Sequence, residues 1–377
     1  MRVLIAGGGI SGLVTARALC LRGFDVTVFE RLPELRPAGA GIMLAANATA
    51  ALGELGLVEP IVAVSSPLVS VETRSWRGEP LTYIPSAEID RRLGAPSVGI
   101  HRADLLRVLF DALDPGVVRF GAEITGFDQD RDGVTVHLAS GESERGDLLI
   151  GADGIHSAVR ARLLADGPPR YAGYTAWRGV TTCEAAPPGA AIELLGRGAR
   201  FGMAPVGGGR TYWWATANEP AGEIDPPVGR KADLEQRFDG WWEPVQALLA
   251  STPESEILRN DILDREPVDR WGVGRVTLLG DAAHPMTPNL GQGACQAIED
   301  AVALAAALEG SRDIVAALRA YETARQSRTA RITRLARRMG QVFQWEHPIA
   351  CRLRDTALRL TPPTLTRRQA EGMLRGG

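Results

Sequence analysis

Met1-Arg-Val-Leu-Ile-Ala-Gly-Gly-Gly-Ile-Ser-Gly-Leu13 opens the chain, and a second apolar run, Val26-Thr-Val-Phe-Glu30, follows it and ends in an acid. The first run predicts a strand, Gly7, Gly9, Ser11 and Gly12 a tight turn into a helix, and the second run another strand. This unit seats a dinucleotide pyrophosphate on a helix N-terminus. A Cβ at Gly7 or Gly9 would hold the phosphates away from the backbone N–H groups, and Gly12 lets the helix lie close on the strand. Glu30 is placed to meet the ribose hydroxyls of an adenosine. The glycines alone would read as an ordinary turn. The flanking strands and the acid at that distance make the motif specific.

The 377 residues leave room for one large domain or two intertwined ones, and 45% hydrophobic with 23% charged residues describes a soluble globule. A formal net charge of -3 gives no general attraction for nucleic acid or an anionic membrane, so small molecules are the expected partners. Strand begins at the first residues and no apolar run approaches spanning length, so neither a secretion signal nor a membrane span is expected, and the cytoplasm is. Cys20, Cys183, Cys295 and Cys351 lie far apart, and the five histidines, His284 among them, are scattered. No metal site is expected from such spacing.

Further along, Val69–Trp76 and Pro80–Ile84 predict a strand pair, and His101–Leu113 has the apolar spacing of an amphipathic helix. Strands are expected over 117–126, 133–138 and 147–152, the last two joined across Ser140-Gly-Glu142. From about 170 to 268 the texture changes to longer β runs rich in Trp and Tyr: 191–195, 200–205, 211–217 and 256–263. Another buried strand, Arg275–Gly280, precedes a glycine-rich loop, a helix over 294–308, a long helix over 321–343 and a tail broken at Pro362-Pro363. The expected class is α/β: a discontinuous nucleotide-binding domain (residues 1–70, 98–168 and 269–340) with an inserted, mostly antiparallel sheet domain (71–97 and 169–268) and a helical segment over 341–377.

Two later motifs specify the dinucleotide. One is Asp147-Leu-Leu-Ile-Gly-Ala-Asp-Gly154, a strand emerging into Asp153-Gly154; the other runs from Leu278-Leu-Gly-Asp281 through Pro288-Asn-Leu-Gly-Gln-Gly293. With these three motifs in order, residues 1 to 340 resemble the single-component, FAD-dependent aromatic monooxygenases, the family of para-hydroxybenzoate hydroxylase, whose nucleotide domain is Rossmann-like. The resemblance implies that Gly280 and Asp281 hold the ribityl chain. It places Pro288, Leu290, Gly291, Gln292, Gly293 and Ala294 at the flavin edge that becomes anionic on reduction, where a helix N-terminus favours the charge. It also assigns Asp153 and Gly154 to both FAD and NAD(P)H, Arg102 to FAD, Arg31 and Ile124 to the adenosine side, and Gly41 and Met43 to the flavin-side loop.

The activity so implied is oxidation of NAD(P)H, addition of O2 to the reduced flavin, and oxygen transfer from a flavin C4a-hydroperoxide to an electron-rich aromatic or heteroaromatic small molecule, by hydroxylation or epoxidation. The protein supplies a dry pocket and an orientation. Candidate catalytic residues are Arg200, Tyr212, Pro288 and Asn289, and candidate substrate contacts are Arg178, Met203 and Trp214; Tyr212 and Trp214 share a strand face. Arg170–Gly179 with Arg200 and Tyr212 is similar to the urate hydroxylase branch. Arg178 and Asn289 depart from it, and Pro288–Gly293 is also similar to zeaxanthin epoxidase and salicylate hydroxylase relatives. An oxidase or dehydrogenase, or a flavin-binding protein without activity, is the alternative, and the chain is expected to act as a monomer or homodimer.

Overall fold

The computed structural model describes residues 1–35, 40–183 and 185–375. One sheet has six strands in the order Gly272–Val273, Val276–Leu278, Leu148–Gly151, Arg2–Ala6, Asp25–Phe29, Val118–Arg119. All neighbours run parallel except the first pair, and Val3 stands between Leu148 and Val26. These strands read as unbroken apolar runs because both faces are covered. Leu4 faces the antiparallel meander Ile124–Gln129, Val134–Leu138 and Ser143–Gly146, where a Cβ on Gly146 would lie 2.7 Å from the Leu4 Cγ. Ile5, one residue on, faces the helix Ile10–Cys20, which shares the core with the helix Gly293–Leu308.

The second sheet has seven strands, in the order Leu258–Asp264, Arg170–Thr181, Thr211–Asn218, Ala199–Pro205, Ala190–Leu195, Ser70–Ser75, Pro80–Ile84. It is antiparallel except where Ala190–Leu195 pairs with Ser70–Ser75. Side chains alternate between its faces. Trp177, Ile192, Leu194, Phe201, Met203 and Trp213 form a core with the helices Arg230–Arg237 and Pro244–Ser251, Phe201 stacking on Trp213 with centroids 5.5 Å apart. The alternate positions, Tyr174, Arg178, Glu193, Arg200, Tyr212, Trp214 and Thr216, lie on the other face. Leu68 and Met43 join that face through Ala191, Ala204 and Trp214, and the long helix Ile314–Phe343 packs Phe343 and Met339 against Leu195.

Three expectations are corrected. The run 117–126 is two strands, Val118–Arg119 and Ile124–Gln129, belonging to different sheets. Leu148–Gly151 is not the hairpin partner of Val134–Leu138: the short strand Ser143–Gly146 takes that place, and the chain then enters the large sheet beside Arg2–Ala6. Arg170–Thr181, the longest strand of the second sheet, lies ahead of the β runs foreseen there. Helices Pro348–Leu360 and Pro363–Leu374 flank the proline pair, and among the described residues no helix is long and apolar enough to cross a membrane.

Candidate functional site

Of the glycines in the opening turn, Gly7, Gly9 and Gly12 divide into two kinds. Gly7 has φ +98°, and a Cβ there would lie 2.6 Å from the Ala152 carbonyl oxygen and 2.9 Å from the Asp153 Cα. A Cβ on Gly12 would overlap the Gly7 carbonyl oxygen itself. Both keep the turn closed against neighbouring backbone, which corrects the expectation that Gly7 makes way for phosphate. Gly9 alone faces open space, with nothing within 4 Å of its absent Cβ. It is the N-cap of Ile10–Cys20, a helix with no capping side chain and no acid in its first turn, so the positive end stays uncompensated.

Glu30 is fixed at the mouth of this turn: one carboxylate oxygen accepts the Gly8 N–H at 2.7 Å and the other the Leu32 N–H at 2.9 Å. Arg31 beside it is exposed. Gly121 and Ala122 donate to the carbonyls of Leu32 and Glu30, so it is their backbone that lies next to Glu30, while Ile124 is buried in the core.

The later motifs converge on the same place. Gly280, at φ +61°, sits where a Cβ would lie 2.5 Å from Ser11 Oγ and 3.1 Å from the Ala297 Cβ, which locks the third motif onto the first. Asp281 follows it and is exposed, yet protein crowds it from every side, as at the foot of a cleft. That desolvation raises its carboxyl above the ordinary range, against the opposing pull of His284 and Arg102. Arg102 is half-buried, and burial lowers its pKa while Glu30 and Asp281 counteract; it stands electrostatically between the two acids. Asp281 Oδ1 is 3.8 Å from where a Cβ on Gly293 would be.

Gly293 starts the helix to Leu308 after the turn Pro288–Leu290 and Gly291, whose φ is +61°. Here again there is no capping side chain and no acid in the first turn, so the N–H groups around Gly293 and Ala294 are left for another acceptor. Leu290 and Ala294 are half-buried, and Met43 Cε reaches to 3.9 Å from where a Cβ on Gly291 would be. Asp153 spends one oxygen on the N–H groups of Ala158 (2.8 Å) and Val159 (3.3 Å); the other is buried without a partner, and burial raises this carboxyl too. Gly154 faces open space.

A buried network that the sequence reading did not foresee supports this floor. Asp300 accepts from the Gly280 N–H (3.2 Å), His284 Nε2 (2.6 Å) and Arg325 Nε (2.6 Å). Burial works against its charge, but His284 and Arg325 outweigh it and hold the carboxyl at about 2. Arg325 and Arg328 both bind Glu299, and Asn47 Nδ2 reaches Gln292 Oε1 at 3.1 Å. Thus Gly280 and Gln292, one on each side of Asp281, are tied into one network.

Beside it lies the face of the seven-stranded sheet turned away from the helices Arg230–Arg237 and Pro244–Ser251, on which Tyr174, Arg200 and Tyr212 are buried. Arg200, 2% exposed, donates to Gln344 Oε1 (2.7 Å), Thr216 Oγ1 (3.2 Å) and Glu193 Oε1 (3.1 Å), and its guanidinium sits 5.3 Å from the Tyr174 ring centroid. Trp214 Nε1 donates to the same Glu193 oxygen at 3.3 Å. Tyr212 lies beside Trp214 with centroids 5.3 Å apart and so close to Gly41 that no Cβ would fit there. Burial raises its hydroxyl, with Arg178 opposing, and Arg178 also binds Asn260 Oδ1 at 3.3 Å. Asn289 Nδ2 donates to Thr287 Oγ1 (2.8 Å), the Ala336 carbonyl (2.9 Å) and Tyr174 Oη (3.0 Å), while Pro288 is exposed.

Met203 is not part of this face. It is fully buried on the helix-covered side with Trp213, because it is out of phase with Arg200 on its strand. Tyr174, Glu193 and Gln344, which sequence reasoning passed over, meet Arg200 on this face; the signal the sequence held was for Tyr174, which shares a strand face with Arg178 by period two.

Two uncompensated helix ends, an open glycine between strand and helix, an unpartnered Asp153 oxygen and an acid at the foot of the cleft fit an elongated dinucleotide whose second half is a ring system. The comparisons agree. Residues 1–336 match the family model described as FAD binding domain. The chain is 44% identical over 361 residues to the aurachin C monooxygenase/isomerase of Stigmatella aurantiaca, covering 96% of this chain and 94% of that one. To the FAD-dependent urate hydroxylase of Klebsiella pneumoniae it is 40% identical over 342 residues, covering 90% and 89%. The structure of Klebsiella pneumoniae HpxO complexed with FAD and uric acid superposes with a TM-score of 0.94 at 35% identity, over 100% of this chain and 97% of that one. This chain therefore belongs to the FAD-binding-domain family and is an FAD-dependent monooxygenase.

Proposed function

We propose that the enzyme uses NAD(P)H and O2 to hydroxylate, or epoxidise, a planar, electron-rich aromatic or heteroaromatic small molecule held over the ring end of FAD. When bound, FAD supplies the hydride acceptor and the dioxygen activation. In this reading Glu30, Arg31 and the Ile124 segment hold the adenosine, and Gly9, Ser11 and the start of Ile10–Cys20 hold the pyrophosphate. Arg102 and Asp281 hold the ribityl chain. The ring edge rests on Gly291, Gln292, Gly293 and Ala294, with Gly41 and Met43 beside it, and Asp153-Gly154 borders the approach of the nicotinamide.

The observation that carries the proposal is that the segment Gly41–Met43 joins two parts of the fold: Met43 reaches Gly291, just before the uncapped start of Gly293–Leu308, and packs in one cluster with Trp214, while Gly41 lies against Tyr212 on the sheet face that also carries Arg200. Tyr212 stays a neutral phenol at working pH because burial raises it, so it serves as a hydrogen-bond donor to a substrate oxygen or nitrogen. Arg200 already faces Glu193, which answers its charge. The pocket is thereby matched to a neutral or weakly acidic ring carrying hydroxyl, carbonyl or N–H groups rather than to a strong carboxylate. Pro288 and Asn289 close the flavin side, and Arg178 the rim. We place the enzyme in the cytoplasm as a monomer or homodimer.

The test is to mix FAD-loaded protein with hydroxylated benzoates, quinolones, purines and phenols, following NAD(P)H oxidation and isotopically labelled O2. Substrate-stimulated NAD(P)H oxidation with one labelled oxygen in the product is expected. Oxygen uptake that needs no NAD(P)H would mark an oxidase instead, and the absence of both across the panel would leave only a flavin-binding protein.

A further inference from the structure

Beside the cleft described above, a second one of about 270 Å³ is lined by Arg170, Glu266, Pro267, Thr333, Arg334, Arg337, Arg338 and Gln341. Its charges do not cancel. The fully buried Asp264 accepts from Arg170 (2.6 Å) and Arg337 (2.7 Å), and Glu266 pairs with Arg170. Arg334 and Arg338 are exposed and, among the described residues, bind no acid, so two guanidinium groups are left over for a ligand.

The second observation is Thr333. It is 1% exposed, lines the cleft, and its hydroxyl has no hydrogen-bond partner. A threonine inside a helix normally returns its hydroxyl to a carbonyl one turn back. Thr323 and Thr329, on the same helix, do so, at 2.8 Å to Arg319 and 3.0 Å to Arg325. Thr333 keeps its donor free, and a buried donor left unpaired calls for a partner. A hydroxyl flanked by planar guanidinium forks is the donor set of a phosphate site.

Position narrows the source of that phosphate. Arg265, next to Glu266, donates to the Ile155 carbonyl beside Asp153-Gly154 at 3.3 Å. Ala336, on the helix that carries Thr333 and Arg337, accepts from Asn289 at 2.9 Å. The strand that begins at Arg170 carries Tyr174 and Arg178. The cleft thus adjoins both the turn on the nicotinamide's approach and the wall of the substrate pocket.

We propose that this cleft takes a phosphate group of the pyridine nucleotide, either its pyrophosphate or a 2′-phosphate. The proposal rests on the function assigned above, and its test separates the two. With FAD-loaded full-length protein, ADP, 2′,5′-ADP and inorganic phosphate are titrated calorimetrically, and KM for NADH and NADPH is measured in wild type, in the double variant Arg334→Gln/Arg338→Gln, and in Thr333→Val. Arg312→Gln/Arg331→Gln removes the same charge from exposed positions outside the cleft and is the control.

Loss of one or two charge-assisted hydrogen bonds predicts a rise of roughly tenfold or more in nucleotide KM and in the Kd of the matching ADP. The flavin affinity and the melting temperature should hold, and the wild-type salt dependence should flatten. If both NADH and NADPH weaken, the pyrophosphate is the group held; if NADPH alone weakens, it is the 2′-phosphate. Thr333→Val should raise KM while leaving the fold as stable or more so, since it removes an unpaired hydroxyl, an effect that a purely structural residue would not give. Unchanged KM and ADP affinity in both cleft variants, or an equal change in the control, would overturn the proposal while leaving the monooxygenase standing. Conversely, a protein that oxidises no NAD(P)H but binds 2′,5′-ADP or ADP through Arg334 and Arg338 would keep the cleft and sink the activity.

Discussion

Substituting alanine in turn for Gly7, Gly9 and Gly12 should separate two roles that one motif conceals. At Gly12 the added Cβ overlaps the Gly7 carbonyl oxygen, and since a Cβ is fixed by its own backbone and the oxygen by its peptide, neither can rotate away. Overpacking of this kind costs on the order of 3 kcal/mol. At Gly7 the Cβ meets backbone at 2.6 and 2.9 Å, and φ of +98° adds roughly 1–2 kcal/mol of its own. Gly9 is different: φ is -76° and ψ -172°, which any residue adopts, and nothing lies within 4 Å. Alanine there should change the stability of the flavin-free protein by less than about 1 kcal/mol, the scale of an N-cap glycine replaced by alanine. Its methyl group would nevertheless stand where the proposed function puts the pyrophosphate. Losing one charge-assisted hydrogen bond, roughly 1.5–3 kcal/mol, raises the FAD Kd about ten- to a hundredfold. Urea unfolding of the flavin-free proteins and fluorescence titration with FAD give the two numbers independently. The reasoning fails if Gly9→Ala unfolds as readily as Gly12→Ala, or if it binds FAD as tightly as wild type.

Asp300 is held at about 2 against an ordinary 3.8, so its contribution is complete above the ordinary value and is lost as pH falls from there toward about 2. Asp300→Asn should remove about 2 kcal/mol of neutral-pH stability and flatten the acid limb of a stability-against-pH curve; an unchanged limb would contradict the His284–Asp300–Arg325 assignment. Asp281→Ala should leave the fold intact but lower FAD retention on a desalting column by at least tenfold, since the side chain is exposed and, among the described residues, makes no hydrogen bond or ion pair; full retention of the yellow colour would refute its placement. Met203→Leu, a volume-conserving change in the helix-covered core, should leave substrate KM within twofold, whereas Tyr212→Phe should raise it several-fold. Equal effects of the two on substrate kinetics would show that the face assignment is wrong.

The parts of this molecule that were legible in its sequence share one property: their physics is local. A strand, a glycine turn and a helix start within the first thirteen residues define their own geometry, and so do the Asp153-Gly154 and Gly280-Asp281 turns. The second sheet was less legible because strand partners are chosen by distant chain. Arg170–Thr181 carries Arg170, Arg178, Gly173 and Gly179, a composition that reads as loop until Thr211–Asn218 and Leu258–Asp264 pair on either side of it. Met203 was misplaced for a simpler cause, since a strand's period assigns residues to two faces without saying which face is the site. The Asp300–Arg325 network was hidden because its members are 25 residues apart and meet only when two helices pack.

The glycine of the third motif shows how these local devices become one site. The helices Ile10–Cys20 and Gly293–Leu308 are both uncapped and both free of acids in the first turn, which is unfavourable for an isolated helix. They lie in one core, and Gly280 is pressed between Ser11 on the first and Ala297 on the second. The fold therefore concentrates two positive helix ends at one location and places no acid in the first turn of either. Arg102 adds a third positive group, countered by Glu30 and Asp281, which both oppose the lowering of its pKa by burial. In the proposed placement an anionic dinucleotide would relieve this arrangement at its pyrophosphate, and a ring that gains negative charge on reduction would relieve it again at Gly293. Binding energy and redox tuning then come from the same pair of helices, so a substitution that separates them, such as alanine at Gly280, should weaken FAD binding and lower the reduction potential together.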